Sequence, residues 1–144
     1  PSSRRMPTTE NAGQIESAIL PGMLIRACDP QATSPVMMAG ADGVSMQVMV
    51  GQQDRAPNFA MRHFVVEPGG HTPRHEHPYE HEVYIVEGTF EVFCDGQTQS
   101  VEAGDVLMVP SNVTHQFVNT GSGAGRFLCM VPMASDCGQE VPGT

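Results

Sequence analysis

The sequence contains no lysine: all seven basic residues among its 144 are arginines. Schiff-base chemistry, pyridoxal-phosphate catalysis and a phosphate-binding P-loop each need a lysine amine, so none of them is open to this chain. Long apolar runs are missing as well. The longest, such as Val106-Leu107-Met108-Val109, fall far short of the ~20 residues that span a bilayer. Basic charge is scarce, with 7 basic residues against 16 acidic ones and a net charge of −9. A chain this acidic is repelled by phosphate backbones and anionic lipid, so neither nucleic acid nor a membrane is expected as a partner. Helical periodicity never extends beyond a couple of turns, and no repeat of fixed period is present. Pro1 to Glu10 carries Arg4 and Arg5 with no apolar run behind them, so no secretory signal is expected.

What is there is ordinary globular material, 40% hydrophobic and 16% charged, at a length that suits one domain. A loose N-terminal arm is expected over 1–20, one domain over 21–135 and a tail over 136–144. Cys28, Cys94, Cys129 and Cys137 form no C-x-x-C pair and no dense framework. They read as reduced thiols in a cytoplasmic protein, with a Cys28–Cys137 bridge between the tails as the alternative.

A strand signal appears at 44–50, and from residue 59 onward the pattern is β nearly throughout. Val44, Met46, Val48 and Val50 alternate with Ser45, Gln47 and Met49, as one buried face requires. Phe59–Glu67 is β-branched and aromatic and ends at Pro68-Gly69-Gly70. Glu82–Glu87 and Thr89–Cys94 flank Gly88. Asp95-Gly96 is a hairpin turn feeding Gln97–Val101, because Asp-Gly supplies the positive φ of a tight primed turn. Asp105–Val109, Val113–Val118 and Arg126–Val131 follow. Many short strands with regular turns predict an all-β fold, a small antiparallel barrel or sandwich.

Four of the six histidines fall in a pattern. His75 and His77 sit two apart in a strand-like segment after Pro73, where i and i+2 share a face. His81 follows across Pro78, and His115 comes from a distant strand. Imidazoles gathered this way inside a barrel suit a divalent first-row ion: Zn, Cu, Fe, Ni or Mn.

At these residues the chain resembles the cupin superfamily. The first cupin motif, G-x5-H-x-H-x3,4-E-x6-G, is matched by Gly69, His75, His77 and Gly88, with His81 where the family commonly has glutamate. The second, G-x5-P-x-G-x2-H-x3-N, is matched by Gly104, Pro110, His115 and Asn119, with Asn112 replacing the inner glycine. The resemblance implies a double-stranded β-helix, the jelly-roll barrel of cupins. The run H-x-H-P-Y-E-H-E-V-Y resembles small bacterial monocupins with an all-histidine site, which implies His75, His77, His81 and His115 as ligands. Glu82 is the competing third ligand, but strand alternation turns it away from the face His81 occupies. Manganese is the ion this subgroup favours; iron, zinc, nickel and copper remain open.

The same resemblance turns the Phe127/Cys129 face of the last strand into the barrel, where plain packing is the alternative reading. It makes Arg62 a candidate for binding a carboxylate or orienting substrate, against a surface ion pair. His63 and His71 read as surface residues or supports for the ligands. The glutamates Glu67, Glu76, Glu80, Glu82, Glu87 and Glu91 read as a solvated face, one of which could accept a ligand N–H. The leading functional expectation is a metal-dependent oxygenase or dioxygenase that uses O2 to cleave a C=C bond in a small apolar or phenolic substrate. A non-redox Lewis-acid enzyme with zinc (lyase, isomerase or polyketide-type cyclase) and a non-catalytic small-molecule binder are the alternatives. Small cupins usually pair, so a homodimer is expected, with the apolar Ile19–Ile25 stretch lying across a partner's sheet.

Overall fold

The computed structural model describes residues 17–20 and 22–133. The arm expected over 1–20 lies largely outside them. The 136–144 tail and Cys137 lie wholly outside, and with them the Cys28–Cys137 pairing. The chain divides into two compact units, 1–32 and 33–144.

In the first unit, β1 (Ser17–Leu20) and β2 (Met23–Arg26) form an antiparallel hairpin in which Leu20 faces Met23. Gly22 turns it with φ +78. The stretch expected to lie across a partner's sheet thus pairs within its own chain.

The second unit is all β: β3 (Ser34–Pro35), β4 (Asp42–Val50), β5 (Phe59–His71), β6 (His81–Glu87), β7 (Thr89–Cys94), β8 (Gln97–Glu102), β9 (Val106–Val109), β10 (His115–Asn119) and β11 (Gly125–Pro132). Its strands run β8-β7-β10-β5-β11-β6-β9, with β4 also on β5 and β3 on β4. Every pairing is antiparallel. The long strand β5 curls this sheet. Its first part lies between β4 and β11, and its end pairs His71 with Val118 of β10. The sequence placed a stop at Pro68-Gly69-Gly70, but the strand bends there and continues. Gly70 permits the bend, because a Cβ on it would sit 2.7 Å from the Asp42 carbonyl oxygen and 2.9 Å from that of Glu67.

Alternation fills the interior. β11 buries Phe127, Cys129 and Val131 and leaves Leu128 and Met130 only partly covered. Phe127 stacks between Phe64 and Phe117, with centroids 4.9 and 4.8 Å away, and meets the edge of Phe90 at 5.5 Å. Such packed rings contribute about 1 kcal/mol per pair beyond the apolar area they remove from water. Two motif positions are structural. Asn112 stands at φ +61 where the motif has glycine, a conformation asparagine tolerates better than most residues. Asn119, 2% exposed, donates through Nδ2 to the carbonyls of Val66 and Gly123 and accepts from the Gly121 amide through Oδ1.

Candidate metal centre

The motif histidines meet at one end of the second unit. His75 was expected on a strand but lies in the loop between β5 and β6, anchored by one antiparallel bridge to His115. Pro73 and Pro78 remove amide donors from this segment, so a continuous ladder cannot form there. His81 opens β6 and His115 opens β10.

The ligand-type nitrogens of His75, His77 and His115 all lie within 4.8 Å of one another. His81 lies outside that group of three but touches it at His77, where the two Nε2 atoms are 2.7 Å apart. Ring centroids among the four lie between 4.4 and 5.2 Å for the His77–His81, His75–His115, His77–His115, His75–His77 and His81–His115 pairs. Glu82, the competing acidic ligand, is exposed while His81 is 5% exposed.

The supporting hydrogen bonds explain the ring orientations. Nδ1 of His77 donates to the Tyr79 carbonyl at 2.8 Å, and Nδ1 of His115 donates to the Val113 carbonyl at 3.0 Å. A neutral imidazole that spends its N–H on one nitrogen presents a lone pair on the other. Both rings therefore offer Nε2 as a donor atom, the arrangement expected of metal-ligating histidine. The glutamates considered as supports are exposed, so local backbone carbonyls take that role here. Any residue supplies such a carbonyl, and no side-chain motif reveals it. Tyr79, also missed, stacks on His77 at 3.9 Å and 8°. The Pro78-Tyr79 pair right after His77 was its only signal.

Electrostatics keep the rings neutral. Burial, then the neighbouring His115, His77 and Arg62, lowers His75 from 6.5 to about 4. Burial and then Arg62 hold His81 down further, and His77 and His115 shift the same way with burial as the first cause. Uncharged imidazoles with inward lone pairs fit a first-row divalent cation.

The cavity beside the histidines has apolar walls from Val36, Val44, Phe64, Phe117 and Phe127. Arg62 and Cys129 line it too. The surface ion pair considered for Arg62 is overturned. The residue is 2% exposed, its Nη2 donates to Cys129 Sγ at 3.3 Å, and its guanidinium lies 5.0 Å from the Phe64 ring centre. His63 is fully buried rather than on the surface, and its Nε2 accepts from Arg126 Nε at 3.0 Å. His71 is half-buried beside Gln116.

The family profile described as "Cupin domain" matches residues 62–131, from Arg62 to the last strand, and encloses all four histidines. The chain belongs to the cupin superfamily. This cupin is 40% identical over 65 residues to "Polyketide synthase CurC" of Streptomyces cyaneus, covering 44% of this chain and 42% of that one. It is 33% identical over 76 residues to "1-methylthio-D-xylulose 5-phosphate methylsulfurylase" of Rhodospirillum rubrum, covering 53% and 49%. Among solved structures, the polyketide cyclase RemF of Streptomyces resistomycificus superposes with a TM-score of 0.66 at 27% identity, covering 76% of this chain and 80% of that one. The matches span less than half the length of the curated relatives. Among the described residues of this cupin, no helix is long and apolar enough to cross a membrane.

Proposed function

We propose that this cupin is a metal-dependent enzyme acting by non-redox chemistry of the cyclase, lyase or isomerase kind. Its substrate is a small, largely apolar molecule with a carbonyl or enol oxygen. The observation that carries this reading is an all-imidazole cluster opening onto an apolar cavity that also holds a buried guanidinium.

His75, His77, His81 and His115 would hold a divalent ion. Four neutral donors leave its charge undiminished, so it supplies Lewis-acid polarisation of a substrate oxygen. The chain's own groups do the rest. Arg62 orients a substrate oxygen, since a guanidinium presents several N–H donors in a fixed plane. Phe64, Phe117 and Phe127 exclude water, which strengthens each electrostatic contact inside. Relatives named for polyketide synthesis and cyclisation support this choice over the oxygenase expected first.

An oxygenase is the second reading, favoured by the apolar Phe127/Cys129 wall beside the histidines. Manganese and zinc are both proposals here, as are a homodimer and a cytoplasmic setting. The test combines metal analysis of protein purified without added metal with turnover assays on small aromatic 1,3-diketones, styrenes and flavonols. The expected result is diketone turnover that a chelator abolishes and that persists without oxygen. Oxygen uptake coupled to styrene or flavonol cleavage would establish the second reading instead.

A further inference from the structure

Cys129 Sγ lies 3.2 Å from His81 Nδ1 and 3.3 Å from Arg62 Nη2. Sγ also lies 4.0 Å from the Met130 carbonyl, an acceptor within reach of its S–H. The thiol is 3% exposed, so these contacts are made away from bulk water. A thiol that turns its proton to that carbonyl accepts through its lone pairs, and Arg62 donates to the sulfur.

The proton inventory of the neighbouring rings fixes what His81 must do. His77 has committed its N–H to the Tyr79 carbonyl, so its Nε2 carries a lone pair, 2.7 Å from His81 Nε2. Two lone pairs at that separation repel unless a proton or a cation lies between them. When a cation does, the proton of neutral His81 must sit on Nδ1. The acceptor the fold places there is Cys129 Sγ. His77 and His115 use backbone carbonyls for this purpose.

We propose that Cys129 is a positioning residue for His81, its Arg62-held sulfur accepting the Nδ1 hydrogen and so aiming Nε2 at the cation. This rests on the metal-binding reading above. It also assigns Arg62 a second task, because the guanidinium donates to the same sulfur.

The proposal separates cleanly from simple packing. If Cys129 only fills space, Cys129→Ala is tolerated and Cys129→Ser, which buries a hydroxyl, is the worse variant. If it accepts the His81 hydrogen, serine keeps an acceptor and alanine loses it. Zinc affinity is measured by chelator competition in the wild type and both variants. The His81 imidazole N–H resonance is followed in the zinc-loaded proteins. The expected outcome is an affinity loss of about 10- to 100-fold in Cys129→Ala, the usual scale for removing a ligand's hydrogen-bond partner, with substantial recovery in Cys129→Ser. The slowly exchanging His81 N–H of the wild type should persist in the serine variant and exchange rapidly in the alanine variant. Equal zinc affinity across the three proteins, or a serine variant weaker than alanine, overturns the positioning role while leaving the metal site standing. A wild type that binds neither zinc, manganese nor iron overturns both. Should the alanine variant fail to fold, the serine variant and the wild-type N–H exchange still decide.

Discussion

His75 and His115 are joined backbone to backbone: each amide donates to the other's carbonyl, at 3.2 and 2.9 Å. The bridge ties the loop carrying the first cupin motif to the strand that opens with the second motif's histidine. Neither bond uses an imidazole. The backbone positions of the two residues are therefore set by main-chain pairing, and a side chain can be removed without undoing that bridge.

His77→Ala tests this. His77 is half-buried in the loop and adds no strand pairing. Its loss should lower divalent-metal occupancy at least about tenfold. Far-ultraviolet circular dichroism should stay that of the wild type. Full occupancy in the variant, measured by elemental analysis after dialysis, would remove His77 from the ligand set.

Much of the barrel was legible from period-2 alternation. Thr89–Cys94 was read to the residue, and Glu82–Glu87 and Gln97–Val101 to within one. The first two each had one apolar face, and the Asp95-Gly96 turn marked where the third began. The 72–80 segment was misread because His75 and His77 mimic that alternation, while its prolines forbid the ladder. Arg62 was legible only through the family resemblance. Arginine's usual preference for water argued the other way, and burial among apolar walls won because the guanidinium meets a sulfur and an aromatic face.

Asn119 gives a second prediction. Its side chain satisfies the buried Val66 carbonyl within β5 and the carbonyl and amide of Gly123 and Gly121, tying the end of β10 to β5 and to the turn before β11. Asn119→Ala leaves those groups without partners and should cost about 3 kcal/mol of unfolding free energy, read from urea titration. Asn119→Asp should cost more, since a carboxylate oxygen would replace the donor facing both carbonyls. A loss below about 0.5 kcal/mol in Asn119→Ala would show that water replaces the lock.

The histidines also fix how stability depends on pH in the metal-free protein. His75 is lowered to about 4 in the fold and returns to 6.5 when unfolded. Between those values the unfolded chain binds more protons, so stability falls as pH falls through that window. Above about pH 7 both states are neutral there and His75 adds no slope; below about pH 4 its contribution is complete. His77, His81 and His115 shift the same way and steepen the fall. Arg62 contributes to the lowering of His75, His77 and His81, behind burial in each case. Arg62→Met should therefore raise these three without restoring them fully, giving a shallower loss over the same window. Urea midpoints with chelator present, compared near neutral pH and near pH 5, measure both slopes. A flat wild-type profile would contradict the neutral cluster. Parallel wild-type and Arg62→Met profiles would show that burial and the neighbouring imidazoles, without Arg62, keep the rings uncharged.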